Sequence, residues 1–462
     1  MQKTKLIEIL KTLNTRQRTR FQEYVDSPFF NKHSKIRALS QFLLKYAPNF
    51  EHQNLNKTIV YQHLFPKTTY KESKFYNLSS DLLQLLNQYL AQIQYEQQPL
   101  LQKEHCLKSL RELNIERQYQ TVCRQYELQL KKTPQGSLNT LLNQVNYYEE
   151  QNRASLLKTH RKYDKHLQLK SDHLDIYYLA NKLQIACDMH NRNSIIQSNY
   201  NCWELDATLK LVDKHFEQLQ QHPSIAIYYA ILQMLRTHTD EDYQTVKTIL
   251  AQNLNQFSSI ELKSMYDYAI NFCIQKLNTG QTNYYREFFD LHQFLLQKNI
   301  LLEEGYLSEW DYKNIVTVGL RLGEYTTIEQ FIWGYKDKIN EQVRDNIFSF
   351  NLASFYYATQ QYQQALQLLH QVEFTDSSYY LGAKIIQLKS YYELDELEAA
   401  LSLLATFRVF IQRNKALSEY RQKTYTNMLK MSKKIILLQQ KSSILSKTKL
   451  QKEKASLSKH LQ

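Results

Sequence analysis

The chain has 462 residues, with 58 Lys and Arg against 45 Asp and Glu, for a formal net charge of +13. Its seven glycines and six prolines fall far below the average usage of about 7% and 5%, leaving scarcely any material for the tight turns of a β-rich fold or for a glycine-rich phosphate cradle. Five irregularly spaced cysteines, Cys106, Cys123, Cys187, Cys202 and Cys273, give neither a disulfide framework nor a CxxC pair and predict reduced thiols in the cytoplasm.

Lys5, Glu8 and Lys11 interrupt the apolar residues Leu6, Ile9, Leu10 and Leu13, so the start of the chain is an amphipathic helix rather than a signal h-region. Thr15 is placed to cap a second helix carrying Phe21 and Tyr24. Asp26-Ser27-Pro28-Phe29-Phe30-Asn31-Lys32 is a break, because Pro28 pushes Ser27 out of helical geometry. Its two aromatics are expected to lock the break onto its neighbours. Helices follow over 33–46, 56–64 and 70–97, the last with Leu78, Leu82, Leu85, Leu86 and Leu90 on one face. The polar run Glu96-Gln97-Gln98-Pro99 marks a boundary, closing a helical N-terminal region over 1–98.

Helices are expected next over 100–113 and 115–131 and, after the turn Thr133-Pro134-Gln135-Gly136, over 138–148. A basic stretch over 158–170 holds His160 and His166 among Lys158, Arg161, Lys162 and Lys165. That charge opposes a metal cation and predicts a solvated helix face. The helix around 174–189 has a continuous apolar face through Tyr177, Leu179, Leu183, Ala186 and Cys187, which makes Cys187 a packed thiol rather than a nucleophile. Asp240, Glu241 and Asp242 read as a helix cap. Glu104-His105-Cys106 is a local cluster without the positioned base and orienter that a cysteine nucleophile needs.

From 309 to 405 the chain repeats. Leu352, Ala353 and Tyr356 lie on a first helix, a Thr-Gln-Gln turn follows, and Tyr362, Ala365 and Leu369 lie on a second. Leu388, Tyr391, Leu397, Ala400 and Leu404 come in the same order, with Ala400 35 residues after Ala365. A small residue where helices cross lets the backbones approach, and large residues three and four positions away fill the groove around it. Val316, Gly319, the turn through Gly323 to Tyr325, Ile328 and Ile332 form an earlier copy. Tyr285 with Phe288, and Tyr243 with Val246, mark second-helix starts before that.

On these residues the chain resembles the tetratricopeptide (TPR) family, whose period is about 34 residues. It departs from the family in having no Pro after Pro223 and in carrying Val, Phe or Ile at most second-helix small positions. The resemblance implies an α-solenoid with a groove lined by first helices and taking a peptide or helix. It places Trp310, Lys313, Arg321, Phe350, Tyr357, Lys389 and Tyr392 on the concave side. Some family members clamp a partner's C-terminal carboxylate with groove Lys and Asn residues. Lys313, Asn314 and Lys389 fit that role, but Thr317 and Ser354 stand where further groove Asn residues belong.

From Arg408 onward there are fourteen Lys and Arg against two acids, so nearly all of the net charge lies in this basic C-terminal helical segment, 408–462. Met431, Ile435, Leu438 and Leu445, then Leu450, Leu457 and Leu461, trace a broken apolar stripe. Lys430, Lys433, Lys434, Lys441, Lys447, Lys449, Lys452 and Lys454 form its cationic side. Three roles fit: a soluble cap on the last hairpin, an electrostatic nucleic-acid contact, or a contact to an anionic membrane surface or acidic partner.

The chain has no HExxH, no zinc-ligand spacing, no Walker or GxGxxG loop and no GxSxG, so no catalytic residue, metal or cofactor is assigned. No run of about 18 apolar residues predicts a membrane span. The expected fold is all-α: a helical N-terminal region over 1–98, a TPR-like solenoid over 99–407 and the basic segment. The expected function is a non-enzymatic, cytoplasmic protein-interaction scaffold, with nucleic-acid association through the C-terminus as the alternative.

Overall fold

The computed structural model describes residues 1–157, 162–196, 199–370, 377–414 and 419–441. Among them the chain is all-α apart from one two-stranded hairpin. It divides into two compact units, Met1–Tyr177 and Tyr178–Gln462, with the division inside a helix, α9.

The first unit contains α1 (Lys5–Thr12), α2 (Thr15–Asp26), α3 (Ser34–Leu44), α4 (Lys57–Leu64), α5 (Glu72–Glu96), α6 (Pro99–Glu112), α7 (Glu116–Leu130), α8 (Leu138–Leu156) and the first part of α9 (Lys165–Ile196). The starts of α1, α2 and α4 are set by short polar side chains. Thr4 caps α1, and on α2 it is Asn14 with Gln17, not the expected Thr15, that closes a capping box, Thr15 being the first helical residue. Pro99 takes the first position of α6, where no intrahelical N–H is needed. Leu6, Leu10, Phe21, Leu39, Val60, Leu82 and Leu86 gather α1 to α5 around one core. Leu107, Tyr119, Tyr126 and Tyr147 make another between α6, α7 and α8. Beside that second core, Arg111 meets Glu150 at 2.7 Å, both side chains largely buried.

Two further expectations change here. Phe30 does lock the α2–α3 break, stacking on Tyr24 at 4.0 Å, but Phe29 stands 86% exposed. The loop is held instead by buried Asn31, whose amide donates to the Val25 carbonyl while its oxygen accepts from His33 N–H. The basic stretch before 174 is absorbed from Lys165 onward into α9, and residues 158–161, including His160, lie outside the described residues.

The second unit takes the rest of α9, then α10 (Leu205–Lys214), α11 (Phe216–Leu219), α12 (Pro223–Thr237), α13 (Asp240–Gln252), α14 (Ser259–Asn278), α15 (Tyr284–Gln297), β1 (Leu302–Glu303), β2 (Tyr306–Leu307), α16 (Glu309–Arg321), α17 (Tyr325–Gly334), α18 (Arg344–Ala358), α19 (Tyr362–His370), α20 (Ser377–Glu393), α21 (Leu397–Arg413) and α22 (Glu419–Lys441). The helices pack in consecutive pairs: α12 on α13, α14 on α15, α16 on α17, α18 on α19 and α20 on α21. Each pair also meets the next, and first helices meet across pairs, α12 with α14, α16 with α18 and α18 with α20. Leu179, Ala180, Leu183, Ala186 and Cys187 of α9 are buried, and the Cys187 thiol points to the Tyr228 carbonyl of α12 at 3.3 Å.

The last four pairs share one turn. Gly280, Gly323, Gln360 and Asp395 have φ of +88°, +76°, +63° and +58°. In each case the following N–H bonds back five residues: Gln281 to Lys276, Glu324 to Gly319, Gln361 to Tyr356 and Glu396 to Tyr391, at 2.7–3.1 Å. This is the Schellman ending, in which a left-handed residue turns the chain sharply and satisfies the last carbonyls. Close packing follows at once. A Cβ on Gly319 would lie 2.3 Å from Ile328 Cδ1 of the second helix and 2.9 Å from Phe289 Cε2 of α15. The β1–β2 hairpin, unforeseen in the sequence, turns on Glu304 and Gly305, both with positive φ, as a two-residue hairpin turn demands.

Candidate functional site

The first helices α16, α18 and α20 each bring one ring to a common point. Ser308 caps α16 through the Asp311 N–H, setting Trp310 and Lys313 on its first turns. Trp310 remains 45% exposed, whereas Phe350 of α18 and Tyr379 of α20 are 4% and 2% exposed. The rings of Trp310 and Tyr379 are 5.8 Å apart, and Phe350 meets Tyr379 edge-on at 5.0 Å. The Tyr379 hydroxyl donates to the Glu309 carbonyl at 2.9 Å, tying α20 to the start of α16. Phe350 reaches this point because Gly382 leaves room on α20: a Cβ there would lie 3.0 Å from Phe350 Cζ. The Lys313 ammonium lies 4.5, 5.5 and 5.6 Å from the centres of Tyr379, Phe350 and Trp310, within range of favourable cation–π attraction.

The same pairing recurs further along, where the Lys389 ammonium of α20 lies 5.9 Å from the Tyr357 ring of α18. Burial raises the Tyr357 phenol above its ordinary value. The structure thus groups Trp310, Lys313 and Phe350 with Tyr379, and groups Tyr357 with Lys389. It separates the others. Arg321 turns to α15, with its guanidinium over the Tyr285 ring and bonded to the Tyr285 hydroxyl. Tyr392 packs against the core formed by Leu388, Leu404 and Phe407. Phe350 belongs to the packing beneath the face rather than to its surface, since spacing along a helix assigns positions but not which rings meet.

A second cluster escaped the sequence entirely. Lys263 of α14 reaches Asp267 at 3.5 Å, Glu303 of β1 at 3.7 Å and Asp311 of α16 at 3.8 Å. His292 of α15 is 0% exposed, and its Nε2 lies 3.9 Å from Asp311 Oδ1. Burial lowers the His292 ring below its ordinary value. The available signal was the position of His292 among Phe288, Leu291 and Leu295 on the buried face of α15.

At the C-terminal end α22 packs on α21, burying Leu429 and Ile436 against Phe407 and Ile411. Lys430, Lys433 and Lys434 are exposed. The side chain of Lys441, and all of Lys447, Lys449, Lys452 and Lys454, lie outside the described residues. Burial holds the Cys187 thiol well above its ordinary value, and Cys106 is exposed. Among the described residues no group of three or more His, Cys, Asp and Glu side chains is placed to hold a metal ion. No helix among them is long and apolar enough to cross a membrane.

Comparison with protein-family models, with curated proteins and with solved structures finds no match for this chain.

Proposed function

We propose that the paired helices of the second unit are a solenoid of TPR-like hairpins, and that the protein is a non-enzymatic interaction scaffold or adaptor. A peptide or helix from a partner protein would lie along the face of α16, α18 and α20. The observation that carries this is the convergence of Trp310, Phe350 and Tyr379 from three successive first helices around Lys313. Aromatic anchors backed by packed rings are the usual centres of binding energy at protein interfaces. Lys389 over Tyr357 repeats the combination one hairpin further on. Three free buried thiols, Cys123, Cys187 and Cys273, support a cytoplasmic location.

The test is affinity capture with the full chain from its native lysate, with and without nuclease, followed by binding measurements on the captured species. A protein retained after nuclease should lose at least about tenfold in affinity with Trp310→Ala or with Tyr357→Ala/Lys389→Ala, as for interface hot spots. It should bind undiminished when residues 442–462, which follow α22 and leave Ile436 in place, are deleted. Recovery of nucleic acid alone, with affinity falling steeply with salt and abolished by that deletion, would overturn the proposal in favour of the basic C-terminus.

A further inference from the structure

His292 and Asp311 form a pair that lacks one proton. The His292 Nδ1 lies 2.8 Å from the Phe288 carbonyl. A carbonyl only accepts, so Nδ1 carries the hydrogen and donates. In the neutral ring Nε2 is then a lone pair, and it has no hydrogen-bond partner. The polar atom it faces is Asp311 Oδ1 at 3.9 Å, another acceptor. Both are fixed from behind. The Phe288 ring lies 4.2 Å from the imidazole, while Asp311 Oδ2 accepts from Ser308 Oγ at 2.7 Å and lies 3.8 Å from the Lys263 ammonium. A single proton between Nε2 and Oδ1 would make a charge-assisted hydrogen bond of about 2.7–2.9 Å. Without it the two acceptors hold apart.

We propose that the His292–Asp311 pair is a proton-operated latch between α15 and α16, closed by uptake of one proton and open, as seen here, without it. Closing the gap moves the first turn of α16 toward α15, and that turn carries Trp310 and Lys313 on either side of Asp311. Acidification therefore repositions the exposed ring of the partner face. The charged group against the pair is the Lys263 ammonium of α14, 3.8 Å from Asp311, and Asp267 of α14 and Glu303 of β1 meet that ammonium in turn. Burial raises Asp267 above its ordinary 3.8, and Lys263 is raised by the three carboxylates around it against the opposing effect of its own burial, so it keeps its charge throughout the range in which a histidine titrates. Burial also sets the direction for His292: its folded value lies below the unfolded 6.5. The unfolded chain takes up this proton first. The stability contributed by neutral His292 is thus full above pH about 6.5 and is lost as pH falls toward the folded value.

The experiment uses the full chain with Trp203→Phe/Trp333→Phe, which leaves Trp310 as the sole indole. Its fluorescence and the His292 ring resonances are followed together from pH 7.5 to 4.5. The expected result is one transition below pH 6.5 with the same midpoint in both signals. In Asp311→Asn the side-chain amide can donate to Nε2 with no added proton, so the latch stays closed and the Trp310 transition disappears while the chain remains folded. Asp267→Asn leaves the transition in place. A Trp310 transition that persists in both Asp311→Asn and His292→Phe would overturn the latch, as would a His292 titration that Trp310 does not sense. The titration is read in the free chain, so the latch stands or falls whether or not the face takes a partner.

Discussion

Gly319, Gln360 and Asp395 sit at successive helix crossings and turns, and each sets a different demand on its side chain. Gly319→Ala would drive a methyl into Ile328 and Phe289. Overpacking costs about 1–3 kcal/mol, more than the gain of about 1 kcal/mol in helix propensity, so the variant should unfold at lower denaturant. Gln360 and Asp395 make the opposite case. They hold the left-handed position that Gly323 fills in the α16–α17 turn, at an intrinsic cost of about 1–2 kcal/mol for a residue with a Cβ. Gln360→Gly and Asp395→Gly relieve that cost but give the unfolded chain more freedom. A net gain of about 0.5–1 kcal/mol each should appear as a raised denaturation midpoint, and no gain would show that their side chains stabilise the turn. Gly319 and Gly323 were legible as a crossing and a turn because glycine signals both. Gln360, inside the Thr-Gln-Gln turn, carries no such signal for the left-handed position itself, since glutamine seldom adopts it, whereas Asp395 is of a residue type enriched there.

The helices themselves were written plainly in the chain, because apolar residues recur at helical spacing and capping residues precede them. What the pattern leaves open is the centre of a buried face. In α22 two apolar rows overlap, and the sequence points to Met431, Ile435 and Leu438, whereas α21 buries Leu429 and Ile436 most deeply. Packing against Phe407 and Ile411 decides between rows that spacing alone makes equivalent. Ile436→Asp would bury an unpaired carboxylate and should destabilise the second unit by about 2–5 kcal/mol. Lys433→Gln and Lys434→Gln, on the exposed side, should stay within about 0.5 kcal/mol. Thermal melts of the full chain separate the two, and equal losses would mean that the lysines take part in the packing.

Over the whole molecule, the scarcity of Gly and Pro with helical spacing throughout was enough to exclude a β architecture. Pro99 also stood out, and it does begin a helix. The cores on its two sides both belong to the unit that ends at Tyr177, because α5 and α6 pack together, a contact that composition does not encode. The same limit hid most of the candidate site. Trp310 and Lys313 could be placed on one helix face, but Tyr379 joins them only because three first helices lie side by side. The gathering of Asp267, Glu303 and Asp311 around the Lys263 ammonium likewise needs α14, β1 and α16 in place, and charged residues read as surface when the chain is taken one segment at a time.

The shared turns have a mechanical consequence. Gly280, Gly323, Gln360 and Asp395 follow one another at 43, 37 and 35 residues, and the helices between them rest chiefly on neighbours near in sequence. Tension applied along the chain then meets a series of similar seams instead of one central clasp. Each hairpin released adds about 120–150 Å of extended chain. Pulled from its ends in an optical trap, the second unit should yield in steps of that length, shorter toward the C-terminal hairpins. A single rip of the whole unit would mean that the hairpins fail as one block. A protein built this way behaves under load as a graded spring, giving ground one hairpin at a time and able to recover each loss separately.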